Sequence, residues 1–193
     1  MVRDRARRAL ASFSPRELSI DDRRPAGVLL LLHHVDGADH IVFQQRTQGV
    51  RHHKGEISFP GGARDPEDAT LLDTALRETH EEIGVARDLV EVYGQLDDTE
   101  TYGSNYLIRP FVGAAPADTA LTFVEAEREV RELLHVPVEH LLTEEARVWK
   151  VAERDGTTES TPAYGFEDNV IWGATARMLG QFLELLDPAA KHR

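Results

Sequence analysis

The sequence contains no cysteine, so neither a disulfide framework nor thiolate chemistry is open to it. It also lacks any apolar run near the roughly 18 residues that a membrane-spanning helix needs. The longest candidate, the VLLLL run at 28–32, suits a buried strand instead. The Arg-rich start is followed by no apolar stretch of the secretory kind. With no export signal, the expectation is a cytoplasmic protein without a membrane role. A surplus of positive charge is missing too. The net charge of -12 at pH 7 argues against nucleic acid as a partner. No internal repeat, low-complexity segment or Gly/Ser linker divides the 193 residues, so one domain is expected over 25–187. A lead-in at 1–24 and a tail at 188–193 would flank it. The first 24 residues hold seven Arg against four acids and read as a solvated helical or irregular segment.

What is present has an ordinary globular balance, 41% hydrophobic and 29% charged. Strands are expected at 28–33 and 41–45, joined as a hairpin across Val35-Asp36-Gly37-Ala38-Asp39. A short strand at 56–59 ends in Pro60-Gly61-Gly62, a turn signal. Further strands fall at 89–96 and 106–112, bridged by a polar loop, and at 130–136, which breaks at Pro137 into a turn of helix at 138–142. A hairpin pairs 147–153 with 161–166 around Asp155-Gly156. Two helices complete the pattern. One spans 70–83 and is closed by Gly84, with Thr70 and Asp73 as a capping box and Asp68 as a rival N-cap. The other spans 175–186, with Met178, Leu179, Phe182, Leu185 and Leu186 on one side. Many strands with two substantial helices give a mixed α/β domain.

The first of these helices carries the stretch RETHEE at 77–82. At roughly 100° per residue, Leu72, Ala75, Leu76, Thr79 and Ile83 form a core-facing stripe. Glu78 and Glu82 share one flank, with Glu81 beside them on the side away from the stripe and Arg77 one turn before it. Two carboxylates about 5 Å apart repel by about 3 kcal/mol at an effective dielectric near 20. Either solvent and salt screen that repulsion, or a divalent cation removes it, since Mg²⁺ prefers hard carboxylate oxygens. A zinc-protease reading of His80-Glu81-Glu82 fails because Gly84 stands where the second His belongs. The pairs His33-His34 and His52-His53 read as structural or surface groups, because neighbours on a strand point to opposite faces.

Gly62-x14-Arg77-Glu78-Thr79-His80-Glu81-Glu82-Ile83-Gly84-Val85 resembles the Nudix box, G-x5-E-x7-R-E-U-x-E-E-x-G-U with U apolar. It departs in a first gap one residue longer, in Asp68 as the nearest acid to the missing early Glu, and in Thr79 at an apolar slot. Upstream, Arg46-Thr47-x3-Arg51-x3-Gly55-x3-Phe59-Pro60-Gly61-Gly62 resembles the signature of the coenzyme A pyrophosphatase branch. The departures there are Thr47, where Ser or Ala is usual, and Gln44, where a Thr often stands before the Arg. Asp65 and Asp68 fit the longer loop common in that branch, and Glu129-Val130-Arg131-Glu132 and Ile171-Trp172-Gly173 are similar to its late segments. The resemblance covers about residues 25–186.

It implies an α/β/α sandwich with a mixed β-sheet and a hydrolase that uses Mg²⁺ or Mn²⁺. By resemblance Glu78 and Glu82 are the main metal ligands, Glu81 is a further ligand or the proton carrier, and Gly61 brings backbone close to the metal. Arg77 and Glu129 join Glu81 as catalytic candidates. Arg46 and Arg51, with Gly61 and Gly62, would bind substrate phosphates. The implied substrate is coenzyme A or a derivative, cleaved to 3′,5′-ADP and 4′-phosphopantetheine, and a homodimer follows by analogy with the superfamily. Two rivals stay open: a Nudix hydrolase for ADP-ribose, NADH or dinucleoside polyphosphates, and a sensor that binds a nucleotide without cleaving it. Tyr102, Phe111 and Phe123 could stack on adenine but read more simply as packing.

Overall fold

The computed structural model describes residues 1–47, 56–101, 103–126, 130–154 and 157–188. Its centre is a hairpin of β1 (Arg24–Val35) and β2 (Ala38–Arg46). The two residues between them, Asp36 and Gly37, both have positive φ, at 51° and 81°, which is the tight turn whose twist matches a β-hairpin.

Strand β1 has two different edges. Along one, β7 (Tyr106–Ala114) runs parallel to it from Arg24↔Tyr106 to Leu32↔Ala114. Along the other, β2 pairs with it only from Leu32↔Ile41 to the turn, after which the two strands part. The resulting fork is filled from both sides. β3 (Ile57–Ser58) pairs with β2, and β4 (Gly61–Ala63) pairs with β1. β5 (Glu91–Gln95) and β6 (Thr99–Glu100) extend the sheet beyond β7, and β8 (Val130–Pro137) extends it beyond β2. A separate antiparallel sheet holds β9 (Arg147–Arg154), β10 (Thr157–Phe166) and β11 (Asn169–Ile171).

Alternation along the strands distributes the core. Leu29, Leu31 and Val42 face helix α2 (Leu71–Ile83), while Leu30, Leu32, Ile41 and Phe43 face the opposite layer. That layer contains α1 (Val2–Ser12) and α4 (Gly173–Leu186), with a turn of helix, α3 (Val138–Leu141), at the end of β8. The VLLLL run is therefore buried on both faces, as a central strand must be. The expected α/β/α sandwich with a mixed sheet is the observed one. Among the described residues no helix is long and apolar enough to cross a membrane.

Four expectations need correction. Pro60-Gly61-Gly62 is more than a turn, because Gly61 begins β4. The strand expected from residue 89 starts at Glu91, after a tight helical turn over Arg87–Leu89. Asp68 does not cap α2; Thr70 and Asp73 form the reciprocal capping box, and Gly84 closes the helix at φ 77°. The core stripe of α2 takes in Leu71 and Thr74 and leaves Leu72 half-buried.

The Arg-rich lead-in is not simply solvated. Val2, Ala6 and Leu10, one turn apart on α1, are buried in the core. Arg3 is buried with them. Its Nε donates to Asp39 Oδ1 at 2.8 Å, its backbone N–H to Asp39 Oδ2 at 3.1 Å, and its Nη1 to the Ala115 carbonyl at 3.0 Å. A few apolar contacts and one desolvated ion pair thus fasten the helix to the hairpin. Replacing Asp39 by Ala leaves that guanidinium without its counter-charge, and urea titration should show a loss of about 3–5 kcal/mol.

A histidine cluster lies on the same end of the sheet. His33 and His135 share a hydrogen bond of 2.9 Å, with the His40 and Phe123 rings packed against His33. Burial pushes His33 down to about 4, and the charges of His135, His40 and Arg3 push the same way against Asp39. The unfolded chain therefore takes up a proton near 6.5 that the folded chain refuses until about 4. Stability should hold above that upper value and fall as pH drops through the window. His33→Leu should remove most of this slope in denaturation midpoints measured from pH 7 to pH 4.5.

Candidate active site

Strand β1 and helix α2 meet at the fork, and one carboxylate enters it. Glu82 is 3% exposed. Its Oε2 accepts the Gly61 backbone N–H at 2.8 Å and the Gln44 side-chain amide at 2.7 Å, while Arg46 Nη1 lies 3.5 Å from Oε1. Burial holds the Glu82 carboxyl up at about 7; Gly61, Gln44 and Arg46 favour the charged form, and the Glu78 charge opposes it. Glu82 is thus deeper than the flank position that the helical wheel placed it in.

The glycines of β4 make this approach possible. Gly61 has φ 149°, and a Cβ there would lie 2.4 Å from the Gly27 carbonyl oxygen. A Cβ on Gly62 would meet the Glu78 carboxyl carbon at 2.5 Å. Any larger residue at 62 would displace the second carboxylate of the set.

Arg77 organises the outer acids. Its Nε and Nη2 grip Asp68 in a bidentate pair at 3.1 and 3.0 Å, and its Nη1 reaches both Glu78 Oε1 and Glu81 Oε2 at 2.9 Å. Asp68 also accepts the Asp65 N–H and the Thr74 hydroxyl, each at 2.9 Å. The Arg77 guanidinium, above all, holds the Asp68 carboxyl down at about 2. The Arg77–Glu81 pair was expected from the sequence; the stronger grip on Asp68 was not. The one available signal was that Asp68 is the nearest acid before the helix. Thr79, odd at an apolar slot, is fully buried and donates its hydroxyl to the Ala75 carbonyl at 2.6 Å.

The structure therefore brings together Gly61, Gly62, Glu78, Glu82 and Arg46 from the expected set, and links Arg77 and Glu81 to them. Glu81 points outward, its side chain 56% exposed. Arg51, Gly55, Glu129 and Tyr102 lie outside the described residues. Phe111 is core, and Phe123 packs against the histidines. In the sequence Gln44 stands out only as a departure from a motif. The signal that could have found its role was its phase, two residues after Val42 on the α2-facing side of β2.

The donor chemistry fits a hard divalent cation. Glu78 and Glu82 are close enough for one charge to raise the other, both lie against β4, and a buried acceptor beside them, Gln44 Oε1, has no hydrogen-bond partner. As the side chains stand, no three Asp, Glu or His among the described residues form a ready metal cluster. The geometry gives the reason: Arg77 Nη1 binds Glu78 and Glu81 together, and Glu82 turns Oε2 to two N–H donors.

The NUDIX domain family model matches residues 23–156. The chain is 32% identical over 170 residues to the uncharacterized Nudix hydrolase NudL of Photorhabdus laumondii, covering 88% of each chain. It is 33% identical over 193 residues to Nudix hydrolase 3 of Caenorhabditis elegans, covering 92% of this chain and 80% of that one. Among solved structures, the Nudix hydrolase RenU of M. smegmatis is 26% identical with a TM-score of 0.51, over 62% of this chain and 73% of that one. The MutT protein of Methanosarcina mazei Go1, 17% identical with a TM-score of 0.54 over 93% and 99%, shares the fold.

The Asp68–Arg77 pair is open to a stability test. Asp68→Asn removes a charge-assisted bidentate pair and should cost about 1.5–3 kcal/mol at pH 7. Because the folded carboxyl titrates near 2 and the unfolded one near 3.8, this contribution is complete above the upper value and disappears as pH falls through the lower one. Acid titration of the two proteins should converge below pH 2.

Proposed function

The chain belongs to the Nudix family and is a Nudix hydrolase, and on that premise we propose that it cleaves the diphosphate bond of coenzyme A or one of its derivatives with Mg²⁺ or Mn²⁺. The observation that carries this reading is a convergence. The motif resembling the coenzyme A branch begins at Arg46 and ends at Gly61-Gly62, and both ends meet at the carboxylate of Glu82. The residues that would draw a phosphate and the residues that would hold a cation thus share one atom group.

Glu78 and Glu82 would hold the cation, with Glu81 as a further ligand and Gly61 bringing the backbone close. When bound, such an ion neutralises the anionic diphosphate, orients it and lowers the pKa of a water. Everything else falls to the chain. Arg46, and Arg51 by the motif, supply guanidinium groups suited to phosphate oxygens. Gly61 and Gly62 let β4 lie close against β1 and the Glu78 carboxylate, which a side chain at either position would push away. Arg77, anchored on Asp68, sets the positions of Glu78 and Glu81 and acts as a positioning residue. Glu81 or Glu129 accepts the proton as a water oxygen bonds to one phosphorus and the bridging oxygen leaves with the other phosphate. The products are 3′,5′-ADP and 4′-phosphopantetheine. The same reading makes 25–187 the catalytic domain of a cytoplasmic homodimer that acts on a small nucleotide-linked molecule and not on nucleic acid.

A hydrolysis panel of coenzyme A, acyl-coenzyme A, ADP-ribose, NADH and diadenosine polyphosphates, with products identified by mass, tests the assignment. Coenzyme A or an acyl derivative should be cleaved best; a tenfold preference for ADP-ribose would end the assignment. Glu82→Gln, while still folded, should lose about a hundredfold or more in turnover, the scale of several kcal/mol of charge stabilisation.

A further inference from the structure

We propose that Gln44 is a positioning residue for Glu82: its side-chain amide pins one carboxylate oxygen so that the other is presented to the divalent cation. The inference rests on the metal reading above and adds a residue to it. Three observations support it. The two N–H donors that reach Glu82, from Gln44 at 2.7 Å and Gly61 at 2.8 Å, both fall on Oε2, and Arg46 Nη1 lies 3.5 Å from Oε1. One oxygen is committed to neutral donors and the other lies on the charged side of the site.

Gln44 is also rigidly held. It is 1% exposed, and β2 is flanked at this position by Ser58 of β3 and Leu133 of β8. An amide fixed within the sheet restricts the carboxylate more than an exposed side chain could. Thirdly, the arrangement is a poor one for stability alone. Gln44 Oε1 and its cross-strand neighbour Ser58 Oγ are buried without hydrogen-bond partners. An apolar residue of similar shape would avoid that penalty. What the Gln adds is its grip on Glu82, and its leftover acceptor suits a water beside a hydrated cation.

The test uses the full chain and Mn²⁺ as the probe. Mn²⁺ binding without substrate is followed by electron paramagnetic resonance for wild type, Glu82→Gln, Gln44→Met and Gln44→Val. Met keeps the volume, and Val, β-branched, suited to a strand and without a donor, serves if Met fails to fold. The Gln44 variants should bind Mn²⁺ about tenfold more weakly, the usual effect of losing an outer-shell partner. Hydrolysis should then need proportionally more Mn²⁺ but reach at least a third of the wild-type plateau. In a Glu82→Gln background, Gln44→Met should change the affinity no further.

A Mn²⁺ affinity within twofold of wild type in the folded Gln44 variants overturns the proposal. So does a lowered plateau with unchanged metal dependence, which is the mark of a merely structural role. These failures differ from failure of the underlying reading, in which Glu82→Gln itself binds Mn²⁺ as well as wild type and both ideas fall together.

Discussion

A carboxylate at the fork between β1 and β2 is the constraint on which the other features of the site depend. Glu82 enters a region where burial alone pushes it toward its neutral form, and only two N–H donors and one guanidinium resist. For those groups to reach it, β1 and β2 must part after Leu32↔Ile41, and a glycine strand must fill the gap. Helix α2 must also keep its rotation. A slip of one residue would turn every side chain by roughly 100° and carry Glu82 out of the fork. Leu71, Ala75, Leu76 and Ile83 prevent this by packing on Leu29, Leu31 and Val42. The hydrophobic layer is thus what fixes a charge in place.

Several charged side chains gather around that point. Among the described residues, Asp68, Glu78, Glu81 and Glu82 bring four carboxylates, and Arg77 and Arg46 bring two guanidinium groups. Arg77 spreads its single charge over three acids, so it aligns them without neutralising them. Its bidentate hold on Asp68 leaves Nη1 to serve both Glu78 and Glu81. A protein with a net charge of -12 can then receive an anionic substrate, because a bound dication reverses the local field.

Much of this was legible before any coordinates, and the limits have physical causes. The spacing of RETHEE, the Thr70–Asp73 box and Gly84 are local signals, and local signals carried the helix. Asp36-Gly37 carried the hairpin in the same way. What stayed hidden depends on contacts between distant residues. Val2, Ala6 and Leu10 are a sparse stripe among arginines, and only the Arg3–Asp39 pair, formed across 36 residues, shows why α1 docks. Gln44 looks like a polar strand end until the fork sets it against Glu82, 38 positions away. A helical wheel gave the direction of Glu82 but not its depth, because depth is set by how closely β4 approaches.

If Arg46 draws the substrate phosphate as proposed, selectivity and metal chemistry would share one place in this fold. Arg46 leaves β2 at the point where its register shifts, and Gly61 begins the strand that seals the fork. The chain between them starts and ends at the same carboxylate. On the proposed reading, a phosphate drawn by Arg46 would arrive where Glu82 and Glu78 would hold the cation, so recognition and activation would draw on one set of charges. Strengthening the Arg46–Glu82 pair would favour an ionised Glu82 but hold that guanidinium away from substrate; weakening it would do the reverse. At 3.5 Å from Glu82 Oε1, Arg46 makes a longer contact than the two neutral donors on Oε2, and those donors do more than the arginine to favour the charged form.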